Sequence, residues 1–257
     1  MTGRLDGRFA LVTGAGKGLG VSIAEGLARE GAHVAVHYRS SSAGAEATAE
    51  RIRGLGREAI TVQADIAEAA DVARMAQEVV DAFGRIDVLI NNVGDMAAHQ
   101  MSWREMTAES IDHTLTLDIK GTMLMMHEFG RRMLDDQQSG SIVNIGSRVV
   151  VEGSPRAPQY AAAKYAIIGI TKSYAHALAP HVRVNTLGPG FVETQALLDR
   201  EDWKSGRREA VLARTPLARI PKPEDIVPPV IFLACDDSRH ITGAFLLCDG
   251  GHSMVGA

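Results

Sequence analysis

Apolar positions along this chain fall into short continuous runs separated by longer stretches with helical spacing. Residues 9–13, 34–38, 60–64, 88–91, 141–145 and 183–187 are rich in β-branched and apolar types without polar alternation. That pattern predicts strands buried on both faces. Between them, residues 19–30, 43–55, 70–83, 108–134 and 159–178 read as helices, most of them ended by Gly or Pro. Strands alternating with helices predict an α/β fold, a doubly wound parallel sheet of about seven strands with helices on both faces. No linker, repeat or composition break interrupts the series, so residues 1–257 read as one domain. The alternation lapses over about 191–220, which carries Glu, Asp, Arg and Trp203 before a helix starting near Pro223. A long excursion after the carboxyl end of a strand is where a substrate lid would sit.

Composition narrows the function classes. At 46% hydrophobic and 23% charged residues with 26 glycines, the chain is an ordinary globular one, not a disordered or fibrous one. A net charge of −4 without a long basic run argues against a nucleic-acid or anionic-membrane surface and for a small-molecule partner. Cys235 and Cys248 make no disulfide framework, the amino end lacks a signal-type apolar core, and no long apolar run occurs. The expected setting is the cytoplasm. The nine histidines lack metal-ligand spacing, so no metal site is expected.

Three features carry candidate chemistry. The first predicted strand runs into Thr13-Gly14-Ala15-Gly16-Lys17-Gly18-Leu19-Gly20 and then a helix. Glycines there let the backbone approach a pyrophosphate, and the helix amino end offers N–H groups and partial positive charge, which marks Gly14, Lys17, Gly18, Leu19 and Gly20 as dinucleotide contacts. Strand two ends in His37-Tyr38-Arg39-Ser40, without the acid that usually holds both ribose hydroxyls of NAD. Tyr38, Arg39 and Ser40 suit a 2′-phosphate instead, with Lys17 as a second cation, so NADP(H) is preferred and NAD(H) is the alternative. Finally, Tyr160 and Lys164 stand four residues apart on one helix face. A fixed ammonium beside a phenol favours the phenolate and turns the tyrosine into a usable acid or base.

Together with Asn91-Asn92-Val93-Gly94, Ser147, Asn185, Pro189-Gly190-Phe191-Val192-Glu193-Thr194, Thr242-Gly243 and Asp249-Gly250-Gly251, these motifs resemble the short-chain dehydrogenase/reductases over nearly the whole chain. The resemblance implies a Rossmann-type fold and hydride transfer between a nicotinamide and a carbonyl or alcohol carbon. It implies that Tyr160 exchanges a proton with the substrate oxygen, that Ser147 hydrogen-bonds that oxygen, and that Lys164 lowers the tyrosine pKa and holds the nicotinamide ribose. Asp65 and Ile66 resemble the family's adenine contact, and Asn92, Gly94, Pro189, Gly190, Val192 and Thr194 match its other cofactor positions. One position departs: Leu117-Asp118-Ile119-Lys120-Gly121 carries Asp118 where the family places an asparagine whose main-chain carbonyl leads through water to the lysine. A carboxylate there would partly cancel the Lys164 field at Tyr160 and shift the rate profile to alkaline pH.

The closest family resemblance is to 3-oxoacyl-carrier-protein reductases and to sugar or alicyclic alcohol dehydrogenases. Met96, His99, Arg148, Val150, Phe191 and the lid are candidates for the substrate pocket, with Arg148 read as a solvated arginine before an anion anchor. Arg131-Arg132 supply part of a basic face for an acyl carrier protein, opposed by Asp135-Asp136. Family members commonly form homotetramers, and Met123, Met126, Ile167 and Ile170 suit either such a face or a core. The leading expectation is NADP(H)-dependent reduction of a 3-oxoacyl or similar small ketone. The alternatives are an NAD-dependent sugar or cyclic alcohol dehydrogenase and a cofactor-binding regulatory protein that has lost turnover.

Overall fold

The computed structural model describes residues 3–95, 102–135 and 139–254. Strands β1 (Phe9–Val12), β2 (His33–Tyr38), β3 (Ala59–Gln63), β4 (Val88–Asn91), β5 (Gly140–Ile145), β6 (Val182–Pro189) and β7 (Phe245–Cys248) form one parallel sheet in the order β3-β2-β1-β4-β5-β6-β7. Residues alternate between the sheet's two faces because the strand repeat is two. Ala10, Val12, Val34, Val36, Val88 and Ile90 point to one core, whereas Leu11, Ala35 and Leu89 point to the other. Both faces are apolar, which is why these strands lack polar alternation in the sequence.

The first core is closed by α1 (Leu19–Arg29), α2 (Ser42–Gly54) and α10 (Pro223–Ala234), through Ile23, Leu27, Ile52, Ile226 and Val230. The second is closed by α3 (Ala69–Phe83), α5 (Thr122–Asp135) and α7 (Pro158–Ala177), through Val72, Met75, Met125 and Phe129. Each fully buried side chain of this size contributes about 1.5–3 kcal/mol. Met126 and Ile167 are buried in the molecule, while Met123 is exposed.

From β1 the chain builds outward to β3, then returns to β4 on the other side of β1. The strand order therefore reverses between β1 and β4, and a crevice opens at their carboxyl ends. Thr13 and Asn92 fasten its floor: the Asn92 N–H donates to Thr13 Oγ1 at 2.8 Å, and Asn92 Nδ2 donates to the Thr13 carbonyl at 2.9 Å. A polar ladder runs beneath, from Asn91 Nδ2 to Asn144 Oδ1 (2.8 Å), from Asn144 Nδ2 to Thr171 Oγ1 (2.9 Å), and between the Thr171 and Thr186 hydroxyls (2.7 Å). Asn185 continues the fastening to β7, donating to the Ile241 carbonyl and accepting from the Ala244 N–H.

One expected element differs. The apolar spacing predicts a single helix over 108–134, but α4 (Ala108–Leu115) is joined to α5 by a wide π turn over Thr116–Gly121. Buried Thr114, Asp118, Gly121 and Met125 keep helical spacing through that turn, so the pattern does not reveal it. Such turns gather at functional positions, and this one carries Asp118 into the interior. Residues 191–220 are also structured: α8 (Gln195–Leu198), a turn over Trp203–Arg207 and α9 (Arg208–Ala213) bury Trp203, Val211 and Ile220 against Phe191 and Leu197.

Candidate active site

Helix α7 begins at Pro158, whose fixed φ suits the first helical position. It lays Tyr160 and Lys164 one turn apart, both about 4% exposed. Lys164 Nζ stands 5.3 Å from the Tyr160 ring centroid. Ser147 lies past the end of β5, just before the short helix α6 (Val149–Glu152), and its hydroxyl accepts the Val149 N–H at 3.3 Å and hydrogen-bonds Tyr160. Tyr160, Lys164 and Ser147 thus meet as the sequence predicts.

Asp118 joins them in an unexpected way. Its buried carboxylate pairs directly with Lys164 at 3.0 Å, so the side chain, and not merely the main-chain carbonyl, meets the lysine. The other carboxylate oxygen accepts the Asp95 N–H at 2.6 Å. Asp95 is itself a buried acid, and its Oδ2 accepts the Thr114 hydroxyl at 2.6 Å. Gly94 makes the closeness feasible: a β-carbon there would lie 2.9 Å from Lys164 Nζ and 3.4 Å from Asp118 Oδ2.

Two carboxylates against one ammonium set the local electrostatics. Burial pushes the Tyr160 pKa up; Lys164 and the Ser147 hydrogen bond pull it down, while Asp118 and Asp95 push it further up, leaving it above the ordinary phenol value. Burial would lower the Lys164 pKa, but Tyr160, Asp118 and Asp95 outweigh it and the ammonium is stabilised.

At the nucleotide end, Gly14 adopts φ +66°, a left-handed turn that glycine accepts without strain. The amino end of α1 has no side-chain cap, which leaves its first N–H groups for a ligand. A β-carbon on Gly16 would lie 2.8 Å from the Ser41 carbonyl, so the turn bearing Lys17 packs against the segment that follows Arg39 and Ser40. Uncapped amides, a left-handed glycine and two cations are a donor set that fits a dinucleotide phosphate. Arg39 is half exposed and pairs with Asp65 at 3.6 Å, so the proposed phosphate and adenine contacts are neighbours.

The outer wall brings a correction. Arg148 is not solvated: its side chain is 13% exposed and pairs with Glu152. Its guanidinium lies 4.1 Å from the centroid of the Phe191 ring. Stacking on Phe191 and pairing with Glu152 account for the burial. Met96 and His99 lie outside the described residues.

A family description headed enoyl-(acyl carrier protein) reductase matches residues 14–253, nearly the whole fold and, Thr13 apart, every motif above. The chain is a short-chain dehydrogenase/reductase. Among its relatives, a 3-oxoacyl-(acyl-carrier-protein) reductase of Staphylococcus aureus is 39% identical, covering 96% of this chain and 98% of that one. An L-rhamnose 1-dehydrogenase (NAD(P)(+)) of Sphingomonas sp. is 34% identical, covering 96% of each. A short-chain dehydrogenase from Burkholderia cenocepacia, solved in complex with NADP, superimposes with a TM-score of 0.88 at 34% identity, covering 97% of this chain and 99% of that one. This dehydrogenase/reductase is thus a nicotinamide-dependent oxidoreductase of carbonyl and alcohol groups.

Sequence reading missed two buried supports of this candidate site. His37, 1% exposed, accepts the Gly14 N–H on Nδ1 at 3.1 Å and meets the Ala64 carbonyl through Nε2 at 3.0 Å. That pairing selects the neutral Nε2–H tautomer, and burial pushes the imidazole down to about 4. Asp95 is the other. A histidine inside a strand and an acid after a glycine carry no local sign of these partners.

Proposed function

We propose that this chain interconverts a small ketone, a 3-oxoacyl compound or one like it, with its secondary alcohol using NADP(H). The observation that carries the reading is the buried cluster of Tyr160, Ser147 and Lys164. Tyr160 gives its proton to the substrate oxygen in reduction and takes it back in oxidation. Ser147 aims a hydroxyl at the same oxygen, where charge develops. Lys164 stabilises the phenolate and binds the ribose, and Asp118 fixes the lysine's position and moderates its field. When bound, the nicotinamide supplies or accepts the hydride. Gly14, Gly18, Leu19, Gly20, Asn92, Gly94, Pro189, Gly190, Val192 and Thr194 line its binding crevice, and Asp65 and Ile66 the adenine end.

Arg39 and Lys17 favour the 2′-phosphate. Pairing of Arg39 with Asp65 supports a second reading, an NAD-linked dehydrogenase of a sugar or cyclic alcohol, because the carboxylate offsets the cation a phosphate would use. Carrier-protein docking gains little support, since Arg131 pairs with Glu128 and Asp135, and Arg132 with Glu128; Asp136 lies outside the described residues. A homotetramer of soluble chains with residues 191–220 as a substrate lid completes the proposal. Initial rates with NADPH, NADH, NADP+ and NAD+ on a ketone and alcohol panel test it. Turnover of ketones with NADPH at the highest kcat/KM is expected, and a preference for NAD+ with sugars would replace it by the second reading.

A further inference from the structure

Beside the reacting centre stands a charged group that the proton chemistry leaves unused. Arg148 directly follows Ser147, its N–H donates to the Pro189 carbonyl at 3.0 Å, and its side chain is folded against the Phe191 face. Its guanidinium would stabilise a Tyr160 phenolate when one forms. Glu152 is its partner, but the same carboxylate also meets Arg214 at 3.7 Å. Behind Phe191 lies Arg207, 5.5 Å from the ring centroid. Arg207 shares the single carboxylate of Asp202 with Arg156 and Arg200.

The counting is therefore uneven. Among the described residues, Arg148 and Arg214 share Glu152, Arg156, Arg200 and Arg207 share Asp202, and Asp249 acts on Arg148 at longer range. Asp249 is committed elsewhere, accepting the N–H groups of Gly251 and Ser253. His252 cannot add negative charge, and its imidazole is held below its ordinary pKa by burial and by Arg148 and Arg214. A guanidinium largely taken out of water that shares its carboxylate with a second arginine favours a further anion. Its planar fork matches a carboxylate in bidentate fashion, and the Phe191 and Trp203 rings, 5.5 Å apart, give the remainder of the wall an apolar character.

We propose that Arg148 anchors a carboxylate of the substrate, so that the compound handled at Tyr160 is an oxo acid or its hydroxy acid. This rests on the Tyr160-centred oxidoreductase reading above and adds the substrate's charge to it. The acid would enter with its carboxylate toward Arg148 and its carbonyl toward Ser147 and Tyr160, and Glu152 would give up part of its hold on the guanidinium. Neutral ketones of the same skeleton would lose the anchor and bind through the carbonyl alone.

The test separates binding from turnover. The enzyme with NADP+ is titrated calorimetrically with isobutyrate and with isobutyramide, probes of one shape that differ in charge. The acid is expected to bind about tenfold to a hundredfold more tightly, and Arg148→Met to reduce that ratio at least tenfold. Glu152→Gln, which removes the competing carboxylate, is expected to tighten isobutyrate binding. Equal affinity of the wild type for both probes, or a ratio undiminished in Arg148→Met, overturns the proposal. In a parallel arm, kcat/KM is measured with NADPH for 2-oxo and 3-oxo acids and their methyl esters. Turnover of esters as fast as acids removes the anion site and leaves the oxidoreductase reading intact. Selective carboxylate binding without turnover of any ketone removes the oxidoreductase reading and leaves the anion site.

Discussion

The two ends of the crevice each hold a cation beside a carboxylate, under opposite conditions. Lys164 and Asp118 are 3.0 Å apart with side chains 5% and 0% exposed, whereas Arg39 and Asp65 are 3.6 Å apart with side chains 58% and 34% exposed. In water the second pair is screened and contributes about 0–1 kcal/mol, so a phosphate can replace the carboxylate with little penalty. The first pair is shielded from solvent, so each charge reaches its neighbours with little screening and separating the partners is costly. Similar chemistry thus suits adaptable binding at one end and a fixed proton affinity at the other.

The buried end should give the largest effect. Tyr160→Phe removes the only hydroxyl proposed to exchange a proton and should lower kcat/KM by about 10²–10⁴-fold while NADPH binding persists. Steady-state rates paired with cofactor fluorescence titration check this. Full activity in the variant would break the assignment of that end to proton transfer.

A buried group also sits at the nucleotide end, and it should separate burial from location. The folded His37 imidazole takes up a proton only below about 4, against about 6.5 when exposed. Its folded pKa is depressed, so its contribution is complete above about 6.5 and is lost as pH falls toward 4, by about 3 kcal/mol. Protonation would also put a hydrogen on the nitrogen that accepts from Gly14. Stability measured by denaturant unfolding between pH 7 and 4 should fall more steeply in the wild type than in His37→Gln. Parallel curves would show that protonation of His37 is not linked to unfolding.

Arg39 should respond more gently. Arg39→Asp is expected to weaken NADPH binding by about ten- to thirtyfold relative to NADH, in line with one exposed charge-assisted contact. Equal losses for both cofactors would mean that neither Arg39 nor its pair with Asp65 senses the 2′-phosphate.

What was legible in the sequence follows the same division. Continuous apolar strands gave away a doubly covered sheet, since burial on both faces leaves its mark on every residue. Gly14, Tyr160 and Lys164 were legible because a turn and a helix fix neighbours at known spacing. Tertiary partners were not: Asp95 reaches Asp118 only because β4 and the wide turn at Thr116–Gly121 converge, and Arg148 looked solvated until Phe191 closed over it. Those contacts join segments 23 and 43 residues apart, beyond any local periodicity.

Asp118 gives the smallest and most discriminating prediction. Its charge raises the Tyr160 pKa and also raises that of Lys164. Asp118→Asn keeps an oxygen for the Asp95 N–H while removing the negative charge, so the Lys164 field reaches the phenol less opposed. The folded Tyr160 pKa should therefore fall, and the ascending limb of the alcohol-oxidation profile, which follows formation of the phenolate, should move to lower pH. Asp95 keeps part of the upward push through its own carboxylate, which limits the movement. Profiles of kcat/KM against pH for wild type and variant, taken with saturating cofactor, measure it directly. Superimposable profiles would mean that burial and Asp95 hold the phenol up without Asp118, whose carboxylate merely positions the lysine. A shift to higher pH would place the negative charge nearer the lysine's role in proton supply than the tyrosine's.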